Sequence, residues 1–254
     1  MSSPAETSQQ AAADPVLETR NLTKRFQGLT AVDNLDIQIS QGEIRCLIGP
    51  NGAGKSTFLK MLVGQHRPTG GSIYFKGEDI TDLEPYQRIR RGMSMKFQVP
   101  AVYTDLTVRQ NMHIAVQRQS AIGGVENRID EALSQFNLRT EESKRVDDLA
   151  HGQQQWLEMA MATVLEPDLL LLDEPTAGMS IEETRETADL IREIGEARPM
   201  TFVVIEHDID FVRDIAGENL VTVLNQGRLF AEGTIEEIAD DEDVQRIYLG
   251  ESHQ

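Results

Sequence analysis

Gly49-Pro50-Asn51-Gly52-Ala53-Gly54-Lys55-Ser56-Thr57 follows the apolar run Ile44–Ile48 and opens a helix-period stretch over Lys55–Val63. Strand, glycine-rich turn and helix frame the pattern G-x-x-x-x-G-K-[ST]. The glycines let the backbone wrap an anion with its N–H groups turned inward, and the helix N-terminus adds a positive field. In such a loop Lys55 reaches the β- and γ-phosphates of a nucleotide, and Ser56 offers its hydroxyl to Mg²⁺. A plain glycine-rich turn is the competing reading. The strand before it and the helix after it decide for phosphate binding.

A second stretch complements the first. Leu169-Leu170-Leu171-Leu172-Asp173-Glu174 is an apolar strand ending in two acids. A carboxylate at that end lies near the Mg²⁺ shell of a bound nucleotide, which gives Asp173 a metal role. Glu174, one residue on, can polarise an attacking water as general base. Many buried strands end in Asp, so the pair gains its meaning from the phosphate loop upstream.

Around these stretches short apolar runs alternate with helix-period segments, the signature of an α/β architecture. Strands are expected at Val16–Thr19, Leu35–Ile39, Ile73–Phe75, Met93–Phe97 and Thr201–Ile205, with a hairpin at Leu220–Leu224 and Arg228–Ala231. Helices are expected at Pro85–Arg91, Gln153–Leu165 and Ile181–Glu196. Thr107–Arg145 is almost wholly helix-forming and reads as a helical subdomain inserted in the sheet domain, over about 100–165. The domain is expected over 15–250. Residues 1–14 lack a basic start and a long apolar block, so they read as a disordered lead-in and not a signal peptide.

Of the 254 residues, 39% are apolar and 26% charged, a globular composition. No run approaches the roughly 18–20 apolar residues of a membrane span. The single cysteine, Cys46, excludes an internal disulfide, fits a reducing compartment, and sits in an apolar run as an inert core residue. Against 24 basic residues stand 42 acidic ones, for a net charge of −18. That surface repels nucleic acid and anionic lipid. Lysine occurs only six times, the rest of the basic residues being arginine. A high-salt cytoplasm, where screening relieves self-repulsion, and an ordinary acidic bacterial protein both fit this balance.

From about Val16 to Gly250 the ordered motifs resemble the ABC ATPase family: the phosphate loop, Gln98, Leu149-Ala150-His151-Gly152-Gln153, Asp173-Glu174 and His207. The spacing agrees, with 20 residues from Gln153 to Asp173 and 33 from Glu174 to His207. The resemblance implies a P-loop NTPase fold, with a mixed sheet core, an antiparallel β subdomain and an inserted α-helical subdomain. It implies ATP hydrolysis with Mg²⁺ and two ATPase subunits closing head to tail around two ATP molecules. Each nucleotide is then held by one subunit's phosphate loop and by the other's signature, here Leu149–Gln153. Phe26 matches the aromatic that stacks on adenine, Gln98 the glutamine that senses Mg²⁺ and water, and His207 the switch histidine on the γ-phosphate. The implied partners are a second ATPase subunit, transmembrane permease subunits and, indirectly, an extracytoplasmic solute-binding protein. The implied location is the cytoplasmic face of the cell membrane.

Two departures stand out. Ala150 replaces the serine whose hydroxyl normally bonds the partner's γ-phosphate, and His151 is a candidate substitute donor. Ser180, in Ala177-Gly178-Met179-Ser180, replaces a common acidic residue. His151-Gly152-Gln153 with Gln155-Trp156-Leu157-Glu158, the Ala-Gly-Met segment and Lys96-Phe97-Gln98-Val99-Pro100 are similar to importer ATPases for branched-chain amino acids and, more closely, for urea. A soluble ABC ATPase, such as one of iron–sulfur cluster assembly, is the alternative; repair, translation, kinase and GTPase readings lack their coiled coils, second cassette or Asn-Lys-x-Asp motif.

Overall fold

The computed structural model describes residues 15–96, 102–117 and 124–250. The lead-in expected over 1–14 and the candidate Gln98, with Phe97 before it, lie outside the described residues. The chain begins with β1 (Leu17–Phe26), β2 (Leu29–Ile39), β3 (Ile44–Ile48), α1 (Lys55–Leu62), β4 (Gly70–Phe75), β5 (Glu78–Asp79), α2 (Pro85–Ile89) and β6 (Met93–Lys96). Helices α3 (Val108–Val116), α4 (Val125–Gln135) and α5 (His151–Thr163) follow, with two short 3-10 turns between the last two. Then come β7 (Leu169–Asp173), α6 (Ile181–Ala197), β8 (Thr201–Ile205), α7 (Ile209–Ala216), β9 (Val221–Asn225), β10 (Arg228–Gly233), α8 (Ile235–Asp240) and α9 (Glu242–Gly250).

The larger sheet has the order β10-β9-β3-β8-β7-β6. Its strands from β9 to β6 are parallel and β10 is antiparallel to β9, so the sheet is mixed, as expected. Both faces are covered. Ile44, Cys46, Ile48, Leu170, Leu172, Phe202 and Val204 pack with α5, α6 and α7 on one face. Leu47, Leu169, Leu171, Val203 and Ile205 pack with α1 and the second sheet on the other. Two-sided burial is why these strands read as unbroken apolar runs. Cys46 is the inert core residue expected: burial pushes its thiol up to about 12.

The second sheet, β2-β1-β4-β5, is antiparallel. Its first two strands are longer than the sequence suggests. Asn21 and Asn34, both at φ 49°, sit where the β1–β2 register shifts, and each breaks the alternation that marks a strand. Gln27 and Gly28 turn the hairpin with positive φ at both positions, the geometry that matches strand twist. The stretch Thr107–Arg145 holds α3 and α4, its ends tied by a bridge between Thr107 and Arg145, and α5 follows it. Helices α7, α8 and α9 were not anticipated from the sequence. No helix among the described residues is long and apolar enough to cross a membrane.

Candidate functional site

The phosphate loop leaves the carboxyl end of β3. Gly49 has φ 142°, and a Cβ there would stand 2.1 Å from the Leu224 carbonyl oxygen of β9. Gly54 has φ 102°, and its Cβ would stand 2.3 Å from the Ala31 carbonyl oxygen of β2. Both positions therefore demand glycine. The β9–β10 turn braces the loop: Gly227 N–H donates to Ala53 O at 2.9 Å, and Gly227 O accepts from Asp33 N–H at 2.8 Å. Helix α1 begins at Gly54 with no capping side chain and no acid in its first turn. Its leading amides are thus left to an external anion. Pro50 and Ala53 are buried, while Asn51, Gly52 and Ser56 are exposed and Thr57 half-buried. Lys55 is buried, and its ammonium donates to the loop's own carbonyls, Gly49 O and Pro50 O.

β8 lies between β3 and β7, so three neighbouring parallel strands deliver the phosphate loop, His207 and Asp173-Glu174 to one carboxyl edge of the sheet. Ligands of open α/β sheets bind outside that edge. Asp173 is buried, and its Oδ1 has no hydrogen-bond partner among the described residues. Burial, followed by the charge of Glu174, raises its carboxyl above the ordinary aspartate range, against the pull of Lys60, Lys96 and Lys55. A buried carboxylate oxygen lacking a donor wants a cation. Mg²⁺ is usually held by one or two side-chain oxygens together with substrate phosphates, so Ser56 and Asp173 fit that ion. Glu174 is half-buried and takes φ 47°, a left-handed conformation that a non-glycine residue adopts at a cost. Its amide is fixed by donation to Ile205 O of β8 at 3.0 Å. His207 is exposed just past β8.

Phe26 ends β1 at 38% exposure, outside the core. The His66 ring meets it edge-on at 5.3 Å, and Lys24 Nζ lies 4.8 Å from its centroid.

Leu149–Gln153 forms the start of α5 and does not precede it. Leu149 is buried, Ala150 is the N-cap, and His151-Gly152-Gln153 make the first turn. The Gln153 side chain reaches back to accept from Ala150 N–H at 3.2 Å, which starts the helix two residues earlier than its apolar spacing suggests. The turn's neighbours belong to the segment after β7. His151 Nε2 lies 3.2 Å from Ala177 O, and the Glu183 carboxylate covers Gly152.

Three functional candidates escaped the sequence. Glu206, the residue before His207, is 1% exposed. Lys96, at the end of β6, is 0% exposed and lies 3.7 Å from the buried Glu158 of α5. Burial pushes the Lys96 ammonium downward, while Glu158, Asp173 and Glu206 hold it up. The available signal was a charge at a place where strand alternation and the inner face of α5 call for an apolar side chain.

Known proteins agree with this geometry. The pattern of the ABC transporter family matches residues 32–177. The high-affinity branched-chain amino acid transport ATP-binding protein LivG of Salmonella typhimurium is 36% identical, over 94% of this chain and 100% of its own. BraF of Pseudomonas aeruginosa, of the same description, is 34% identical over 94% and 99%. A crystal structure of the ADP conformation of an ATP-binding cassette of an ABC transporter superposes with a TM-score of 0.84 at 26% identity, covering 94% of this chain and 100% of that one. A dimeric cassette in a post-hydrolysis state, bound to ADP and Pi, gives 0.76 at 27% identity over 86% and 98%. With its phosphate loop, acidic strand end and histidine at one sheet edge, this chain belongs to the ABC transporter family as an ATP-binding subunit, an ATPase coupled to transport.

Proposed function

We propose that the chain hydrolyses ATP with Mg²⁺ as one half of an ATPase pair beneath a membrane permease, and that it drives uptake of a branched-chain amino acid. The observation that carries the chemistry is the convergence of the phosphate loop, the donorless Asp173 oxygen, Glu174 and His207 at one carboxyl edge. The relatives LivG and BraF, branched-chain amino acid transport ATP-binding proteins, support the solute class and disfavour iron–sulfur assembly. The His-Gly-Gln, Ala-Gly-Met and Lys-Phe-Gln-x-Pro segments favour a second solute, urea.

In the mechanism, the loop amides and α1 take the phosphates, and the Lys55 ammonium exchanges the Gly49 and Pro50 carbonyls for phosphate oxygens. Ser56 and Asp173 would hold Mg²⁺, with Gln98 the glutamine that the family resemblance assigns to sensing it, and the ion would supply charge neutralisation to the phosphates. Glu174 orients the attacking water and accepts its proton, and His207 contacts the γ-phosphate. Phosphoryl transfer needs mainly positioning and charge stabilisation, which these groups supply. Phe26 stacks on adenine. Leu149, Ala150, His151, Gly152 and Gln153 engage the partner's nucleotide. With no hydroxyl at Ala150, that engagement falls to the amides of the first turn of α5 and to His151. The helical stretch and residues 98–106 face the permease, on the cytoplasmic side, and an extracytoplasmic binding protein delivers the solute.

Glu174→Gln is expected to bind ATP with unchanged affinity and to lose about a hundredfold or more in turnover, since it keeps shape and removes the base. Near-normal turnover would take Glu174 out of its role. Uptake of labelled leucine and labelled urea by cells lacking the chain separates the two solutes: loss of leucine uptake alone supports the first reading, and loss of urea uptake alone the second.

A further inference from the structure

β8 supplies five buried residues, Thr201–Ile205, and then, still buried, a carboxylate. Placing an acid there without donors is strongly unfavourable. Glu206 has donors on both oxygens. Its Oε1 accepts from Thr176 N–H at 3.2 Å and from Thr176 Oγ1 at 2.7 Å. Its Oε2 accepts from the His207 amide at 3.2 Å and lies 3.7 Å from His207 Nδ1. Burial raises the carboxyl above the ordinary glutamate range, and the Thr176 and His207 donors pull it back. Lys96, on the same face of the sheet, adds a buried positive charge.

The two donor residues are informative. Thr176 stands two residues after Glu174, whose own amide is fixed on Ile205 O, the carbonyl just before Glu206. The end of β8 therefore grips the 174–176 segment at two points. The same carboxylate fixes the peptide of His207, whose ring is exposed. One buried group spans the acid proposed to orient water and the histidine proposed to touch the γ-phosphate. Pro175 and Thr176 lead directly into Ala177, which faces His151, so the span continues to the signature turn.

We infer that Glu206 is a positioning residue for ATP hydrolysis, holding the Glu174–Thr176 segment and the His207 peptide at a fixed spacing. This rests on the roles proposed above for Glu174 and His207. Glu206→Gln keeps shape, yet its amide group offers acceptors to only one of the two sides. Losing a hydrogen bond to a charged group is worth about a tenfold rate change or more. The expected result is a fall of about tenfold in kcat, with the KM for ATP within about twofold and the melting temperature unchanged or raised. Thr176→Val removes the hydroxyl donor, leaves the amide, and is expected to lose less. Glu206→Asp keeps charge but shortens the reach, and serves as the second variant with the same kcat-selective loss. A purely structural group would instead lower stability and ATP affinity along with turnover.

The deciding measurement is single-turnover hydrolysis in a double-mutant cycle. In a His207→Ala background, Glu206→Gln is expected to lose less than it does in the wild type, because part of its effect runs through His207 and the rest through the Glu174–Thr176 segment. Full wild-type kcat in Glu206→Gln, or losses that multiply in full, overturns the inference. If His207→Ala alone turns over normally, the His207 role proposed above fails. If His207→Ala is inactive while Glu206→Gln is fully active, only the positioning role fails.

Discussion

Gly49 and Gly152 look alike on one measure: a Cβ would meet an oxygen at 2.1 Å in the first and 2.2 Å in the second. The oxygens differ in kind. At Gly49 it is the Leu224 backbone carbonyl, inside a strand of the central sheet, and φ is 142°. Neither can move without breaking β9 from its neighbours. At Gly152 it is Glu183 Oε1, the tip of a half-buried side chain that can rotate away. Gly49→Ala should therefore abolish ATP binding, as read by a fluorescent nucleotide on the isolated subunit, while Gly152→Ala, away from the chain's own phosphate loop, should bind ATP to that loop within about twofold of wild type. Equal loss in both would mean that Glu183 is as rigid as the sheet. The motif pattern already announced Gly49. Glu206 and Lys96 carried a weaker signal, because a charge ending an apolar run also reads as the strand reaching solvent. Only the fold shows that Thr176, His207 and Glu158 wait there.

At the scale of elements, Ser180 finds a use. It caps α6 in a reciprocal box: Glu183 N–H donates to Ser180 Oγ at 3.3 Å, and Ser180 N–H donates to Glu183 Oε2 at 2.8 Å. Replacing Glu183 with alanine removes the return half and should cost about 1 kcal/mol. The Ser180 amide and hydroxyl, then the His151 charge and the Gly152 amide, hold the Glu183 carboxyl below the ordinary glutamate range. A carboxyl lowered in the folded state contributes fully above its unfolded value of about 4.3 and loses that contribution as pH falls through its folded value. The melting-temperature gap between wild type and Glu183→Ala should be constant from about pH 7 to 5 and close below about pH 4. A gap that persists at low pH would assign the stabilisation to packing of the side chain. Legibility also divides by element. Two-sided burial made β3, β7 and β8 plain, and the acidic faces of α8 and α9 hid the spacing of Ile235, Ile238 and Val244.

For the molecule as a whole, the net charge of −18 sets one force against another. Surface ion pairs are numerous: Arg109 joins Glu126, Asp130 and Glu142, and Arg139 joins the last two. Exposed pairs contribute about 0–1 kcal/mol each, and salt weakens them. The excess acids act over longer distances and oppose the compact state. Raising the ionic strength from about 0.1 M to 1 M shortens the screening length from about 10 Å to 3 Å. The Arg109–Glu126 and Arg109–Glu142 contacts, both at 2.8 Å, lie inside that shorter length, while repulsion between unpaired acids across the surface lies outside it. Salt should thus erase more repulsion than attraction. The melting temperature is expected to rise by a few degrees between 0.1 M and 1 M KCl, at about 2–4 °C per kcal/mol for a chain of this size. KCl is the proper salt, since sulfate would also strengthen apolar burial and blur the cause. A fall in melting temperature over that range would show that the Arg109 and Arg139 network outweighs the excess charge. Arg109→Ala would then flatten the salt response, whereas if repulsion dominates, that variant should melt lower at every salt concentration and rise with salt at least as steeply.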